Sequence, residues 1–252
     1  MPEAPAAGHA LRVLSHLAGR LEPVPAATLA RALDLPRSSI YRLLGEMAAL
    51  GYVTHYRDDG RWGLGIAAYE LASGYQRQTP LQRIARPLLQ RLVDTTTHNA
   101  HLAVLHGRDV LYVIEERAPG RPLLITDVGV RLPASHTASG LALLAALPAS
   151  QITALHPDAA SLVQTPGAPV TVSALRRELV DVRRRGWARE HGSVTPGLRS
   201  VAVAVTDRGG RPLASVALTY PEDEVASPKP LVGAVRDVAD VLERRLGGGT
   251  GR

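Results

Sequence analysis

Apolar residues recur at helical spacing from about residue 8 to residue 50, then the pattern shortens and later returns. Ala10, Leu14, Leu17 and Ala18 mark a first helix that breaks at Leu21-Glu22-Pro23-Val24-Pro25. Pro25 suits the opening of a second helix, because its missing N–H costs nothing in a first turn. Leu29, Ala30 and Leu33 supply that helix with a short apolar stripe. Beyond Asp34-Leu35-Pro36 a third helix gathers Ile40, Leu43, Leu44, Met47 and Leu50 on one face, and Gly51 caps its end. Tyr52–Tyr56 and Arg61–Leu64, joined by Arg57-Asp58-Asp59-Gly60, then predict a β-hairpin.

Residues 66–97 are helical in pattern, with a break at Thr79-Pro80. The period then changes to two: Ala100–Leu105 and Val110–Glu115 flank a Gly107-Arg108-Asp109 turn, and Pro122–Asp127 is a further strand candidate. Helices are predicted over Thr137–Leu147, Val172–Arg185 and Pro230–Leu246. A second hairpin is predicted from Ser200–Thr206 and Pro212–Thr219. The whole reads as α+β: a winged helix-turn-helix over residues 1–65, a linker helix over 66–79, a mixed α/β domain over 80–247, and a frayed glycine-rich tail over 248–252.

Composition narrows the classes. The chain has 252 residues, no cysteine, 45% hydrophobic and 21% charged residues. These values describe a globular chain without disulfides or thiolate metal sites. The N-terminal stretch lacks a signal-peptide pattern, and no run approaches the ~18 apolar residues of a membrane span, so the cytoplasm is the expected compartment. The net charge of +6 suggests an anionic partner, but its location matters. Residues 1–76 hold seven Arg and seven Asp/Glu, so the whole excess lies beyond them. A broad basic patch is therefore not what would hold DNA.

On a helical wheel centred on Ile40, Leu43, Leu44 and Met47 fall on the buried side. Ser38, Ser39, Tyr41, Arg42, Gly45 and Glu46 fall opposite. A recognition helix needs this division, with its polar N-terminal face in the major groove. Arg37 and Arg42 would reach guanine edges or phosphates, Ser38 and Ser39 either, and Tyr41 a thymine methyl or the backbone. Arg57 and Arg61 on the hairpin suit a minor groove or phosphates. Any amphipathic surface helix also shows a polar face, so the ordered set of three helices and hairpin carries more than the helix alone.

The run Leu33-Asp34-Leu35-Pro36-Arg37-Ser38-Ser39-Ile40-Tyr41-Arg42-Leu43-Leu44 resembles the helix-turn-helix of the IclR-type bacterial transcription regulators. So do Gly51-Tyr52-Val53 and Arg61-Trp62-Gly63-Leu64-Gly65. The likeness continues through Leu132-Pro133-Ala134-Ser135-His136-Thr137-Ala138-Ser139-Gly140-Leu141, Arg185-Gly186-Trp187-Ala188, Pro196-Gly197-Leu198-Arg199-Ser200-Val201 and Ser215-Val216-Ala217-Leu218. This resemblance implies a GAF-like C-terminal domain that binds a small effector and helps to form dimers or tetramers. It implies double-stranded DNA with a pseudo-palindromic operator as the partner, and repression or activation as the outcome. It also implies effector contacts from Ala138, Ser139, Glu190, Ser200, Ala217 and Thr219. A helix N-terminus at Ala138-Ser139 would favour an anion. Ordinary core packing is the competing reading, most of all for Ala138 and Ala217. The chain departs from the family at Leu141, at the offset Ser135-His136, at Gly192-Ser193 and at Ala217, where polar or charged residues are common. Fewer polar groups there imply a larger or less polar effector than a simple keto acid, such as an organic or aromatic acid.

Other motifs lead elsewhere. Gly63-Leu64-Gly65-Ile66-Ala67-Ala68 fits G-x-G-x-x-A, but no βαβ unit surrounds it, and the glycines read as the end of the wing. His98, His101 and His106 match no zinc signature and are expected to be solvated or hydrogen-bonded. Arg183-Arg184-Arg185 reads as a solvated helix end. No G-x-S-x-G occurs, and neither a catalytic residue, a metal site nor a cofactor is expected. The alternative from another class is a small-molecule-processing enzyme with an accessory winged helix.

Overall fold

A computed structural model describes residues 5–78, 80–121, 124, 126–163 and 171–247. The expected tail at 248–252 and residues 122, 123 and 125 of the strand expected at Pro122–Asp127 lie outside the described residues. The chain divides into two compact units, 1–79 and 80–252.

The first unit runs α1 (Pro5–Ala18), β1 (Val24–Pro25), α2 (Ala26–Leu33), α3 (Arg37–Ala49), β2 (Val53–Tyr56), β3 (Arg61–Leu64) and α4 (Ile66–Gln78). Its core is Val13, Leu17, Leu29, Leu33, Ile40, Leu44, Met47, Val53 and Trp62. The tight turn between α2 and α3 passes through Asp34 in a left-handed conformation, which Asp tolerates. At the end of α3 the Tyr52 N–H bonds to the Met47 carbonyl and the Gly51 N–H to that of Ala48, with Gly51 at φ 75°. This double closure is the reason a glycine stands there. Pro25 is one residue earlier than expected: it precedes α2, and with Val24 it forms a two-residue edge strand against Trp62 and Arg61.

The second unit runs α5 (Pro80–Thr96), β4 (Asn99–His106), β5 (Asp109–Glu116), β6 (Arg131–Pro133), α6 (Ala138–Ala146), α7 (Ala149–Leu155), α8 (Val172–Arg185), β7 (Ala188–His191), β8 (Leu198–Thr206), β9 (Pro212–Pro221) and α9 (Lys229–Gly247). Its antiparallel sheet has the order β6-β5-β4-β9-β8-β7. Strand alternation sorts the side chains to two faces. Leu102, Ile114, Val201, Val216 and Leu218 pack against α5 and α9 with Leu89, Val235 and Leu242. Ala103, Tyr112, Ala202 and Ala217 pack toward α6 and α8 with Leu141, Leu144, Leu175 and Leu179. The third strand beside β5 is Arg131–Pro133, and the described part of Pro122–Asp127 (Leu124, Thr126 and Asp127) forms no strand.

Two expectations about charged groups need correction. Arg183 donates to the carbonyls of Ala145 and Leu147, tying α8 to the end of α6. Arg185 donates to the Trp187 carbonyl and to Glu178, so that run is largely engaged, not solvated. His98 and His101 are buried rather than solvated, and the ring nitrogens of His101 have no partner among the described residues. His106 alone fits the expectation, exposed and 3.3 Å from Arg131.

Candidate functional site

In the first unit, α3 carries two faces as its wheel predicts. Ile40, Leu44 and Met47 are buried, while Arg37, Ser38, Tyr41, Arg42, Gly45 and Glu46 are exposed and Ser39 is half-buried. Pro36 precedes the helix without a side-chain cap, and the first turn holds no acidic residue. The leading N–H groups of α3 therefore stand open to an anion. Arg37, Arg42 and Arg57 form no ion pair among the described residues. Arg61 instead donates to the Pro23 carbonyl at 3.3 Å and lies within 3.6 Å of Glu22 and 3.5 Å of Asp59. These contacts brace the hairpin while leaving the Arg61 side chain 42% exposed, and His55 and Trp62 stiffen the hairpin further by stacking at 4.3 Å.

In the second unit a narrow cavity of about 20 Å³, within about 380 Å³ of atom-free space that includes its solvent-open mouth, lies between the sheet and the start of α6. Ala138, Ser139, Glu190, Ser200, Ala217 and Thr219 all line it. Four elements bring them together: Ala138 and Ser139 begin α6, Glu190 lies on β7, Ser200 on β8, and Ala217 and Thr219 on β9. The register sets Glu190, Ser200 and Thr219 in one row. Ser200 Oγ and Thr219 Oγ1 are 2.9 Å apart, and the Val194 N–H donates to Glu190 at 3.3 Å. Thr137 caps α6 by accepting the Gly140 N–H at 2.8 Å. Gly140 is required by space, since a Cβ there would lie 2.1 Å from the Ala134 carbonyl oxygen.

Burial dominates the electrostatics. It pushes the Glu190 carboxyl above the usual carboxylate range, although the Val194 N–H and the Ser200 hydroxyl pull the other way. It pushes Tyr112 up to about 12 and His101 down to about 4. No Lys or Arg among the described residues lines the cavity, so the free N–H groups of α6 are its anion-attracting feature. His101, Tyr112, Thr126 and Thr137 also line it and were not expected from sequence. Period two in β4 puts His101 opposite to Leu102, but only the pairing of His101 with Ala217 places it beside the α6 start. Among the described residues no group of three or more His, Cys, Asp or Glu is arranged to hold a metal ion. No described helix is long and apolar enough to cross a membrane.

Comparison with known proteins agrees with this architecture. Residues 6–56 match the IclR helix-turn-helix domain, and residues 73–244 match the family described as bacterial transcriptional regulator IclR C-terminal. The chain is 30% identical over 245 residues, 95% of both chains, to the glycerol operon regulatory protein of Streptomyces griseus. It is 30% identical over 208 residues, 82% of this chain and 70% of the other, to the Pca regulon regulatory protein of Pseudomonas putida. A crystal structure of an IclR homolog from Microbacterium hydrocarbonoxydans, complexed with 4-hydroxybenzoate, shares the fold with a TM-score of 0.83 at 24% identity, covering 97% of this chain and 100% of that one. With both family matches in order along the sequence, the chain belongs to the IclR family of bacterial transcriptional regulators.

Proposed function

We propose that this DNA-binding transcription regulator reads a pseudo-palindromic operator with Arg37, Ser38, Ser39, Tyr41 and Arg42 of α3. Arg57 and Arg61 support it from the hairpin, and the cavity of the second unit takes an aromatic or similarly bulky organic acid. One observation carries the effector reading: six residues from four elements converge on a single cavity at an open helix start. Its cation-free, partly apolar walls suit a carboxylate on a larger body better than a small keto acid. The ligand named for the Microbacterium homolog, 4-hydroxybenzoate, is of that class.

The protein acts in the cytoplasm as a homodimer or a tetramer, with α4 as the linker between a DNA-binding domain over 1–65 and an effector domain over 80–247. Ile66 and Tyr69, 69% and 71% exposed and one turn apart on α4, support self-association through that helix. We read the cavity as a receptor and not as an active site, in keeping with the family of transcriptional regulators to which the chain belongs. Effector binding shifts the population of arrangements that fit the two half-sites.

Thermal-shift titration of the full chain checks the effector class. Benzoate-type acids should raise the melting temperature more than glyoxylate or pyruvate at equal concentration, and should change affinity for an operator selected from random duplexes. A preference for the small keto acids would refute the assignment.

A further inference from the structure

The sheet face beneath the cavity is built in two rows. In one, Glu190, Ser200 and Thr219 stand side by side across β7, β8 and β9, and their polar atoms are engaged with one another or with the backbone. In the next, Ala188, Ala202 and Ala217 form a low floor of methyl groups that ends on β4 at His101. Ala188 and Ala202 let α6 and α8 pack close to the sheet, while Ala217 at the end of the row lines the cavity with the imidazole beside it.

His101 is 1% exposed, yet neither Nδ1 nor Nε2 has a hydrogen-bond partner among the described residues; Thr126, 6% exposed, has its Oγ1 in the same condition. Both residues line the cavity. Tyr112 lies edge-on to the imidazole at 5.7 Å. Glu115, opposite His101 on β5, has one carboxylate oxygen on Arg117 and the other unpaired among the described residues. Buried polar groups in native proteins are nearly always hydrogen-bonded. Two such groups left open on one cavity, beside a row already satisfied, mark the place of a ligand's polar group.

The chemistry of that group follows from the partners. Burial and the Arg117 charge keep the imidazole neutral down to about pH 4, so it offers one N–H donor and one acceptor nitrogen, and a threonine hydroxyl serves as either. A carboxylate only accepts, an ammonium only donates, and a methyl group does neither. A hydroxyl does both. We propose that His101, with Thr126, is a specificity subsite that selects effectors bearing a hydroxyl group away from the acid held at the α6 start. This rests on the reading of the cavity as the effector pocket.

The test is calorimetric titration of the full-length protein with benzoate, its 2-, 3- and 4-hydroxy isomers, and 4-methylbenzoate. At least one hydroxybenzoate should bind about tenfold or more tightly than benzoate and 4-methylbenzoate, because the analogue without a hydroxyl leaves the site's polar groups unpaired. In His101→Leu the ratio should fall toward one, and the isosteric Thr126→Val should lower it in the same direction. Both ligand-free variants should melt at or above the wild-type temperature, since each removes buried unpaired atoms. That separates lost recognition from a lost fold. Equal binding of benzoate and all three isomers, or a preference that survives His101→Leu, overturns the subsite and leaves the pocket reading standing. Binding by none of the five overturns the acid-effector reading and the subsite with it.

Discussion

Glu190 and His101 stand on the same face of one sheet, and burial displaces them in opposite directions. The Glu190 carboxyl takes its proton more readily in the folded chain than in the unfolded one. Its favourable contribution is therefore complete below the ordinary carboxylate pKa of about 4.3 and is lost as pH rises through the folded value. For the depressed His101 the contribution is present above about 6.5 and is lost as pH falls toward about 4. As pH rises, ionising the buried Glu190 costs stability that the Val194 N–H and the Ser200 hydroxyl offset only in part. Glu190→Gln should raise the melting temperature of the effector-free second unit by a few degrees at pH 7.5, and the gap should close by about pH 4.5. Scanning calorimetry at both pH values decides it, and a gap that widens on acidification would contradict the burial argument. Glu190 was legible as a pocket residue because it lies in the order of family motifs. His101 and Thr126 were not, because their role depends on neighbours that are distant in sequence.

At the scale of elements, the long helices and the three hairpins were legible because each spans several periods of its own pattern. β1, β6 and α7 are too short to show one. β7 fails for a more informative reason: its inward positions are Ala188 and Glu190, so the residue that serves the cavity breaks the apolar alternation that would have revealed the strand. The start of α6 is the element on which the site depends, and Gly140 is its tightest point. Gly140→Ala would place a Cβ 2.1 Å from the Ala134 carbonyl oxygen and 2.3 Å from its Cα. Neither is a flexible side chain. Moving the helix aside should cost about 1–3 kcal/mol and abolish effector-induced stabilisation. Gly233→Ala in the exposed face of α9, where no atom lies within 4 Å of the added methyl, should instead stabilise by about 0.5–1 kcal/mol. Urea denaturation of the pair measures both, and equal effects would show that the contact at Gly140 is not limiting.

For the whole molecule, charge and DNA recognition are separated along the chain. Residues 1–76 are formally neutral, and the +6 belongs to the remainder. If affinity rests on Arg37, Arg42 and Arg57 of two protomers, about six phosphate contacts give a salt slope near −5. Arg42→Ala should weaken operator binding about tenfold or more, and it should flatten the slope by about 2 where that residue meets phosphate. Fluorescence anisotropy from 50 to 200 mM salt tests both values. A wild-type slope near −10 would mean that basic residues of the second unit also touch the duplex. Unchanged affinity in Arg42→Ala would remove the exposed face of α3 from the interface.

The amino-acid order alone determined the two-unit plan and the recognition helix with its buried and exposed sides, and the family resemblance pointed to six residues of the cavity. These depend on local periodicity, on glycines and prolines with fixed conformational demands, and on motif order. The tertiary structure decided what rests on pairing between distant strands. The β4–β9 register sets His101 beside an alanine floor, the β7–β8–β9 row satisfies Glu190, Ser200 and Thr219, and Glu22 with Asp59 draws Arg61 into the hairpin. Side chains far apart in sequence acquire their burial, partners and protonation only when the sheet closes, and the chemistry of this cavity belongs to that step.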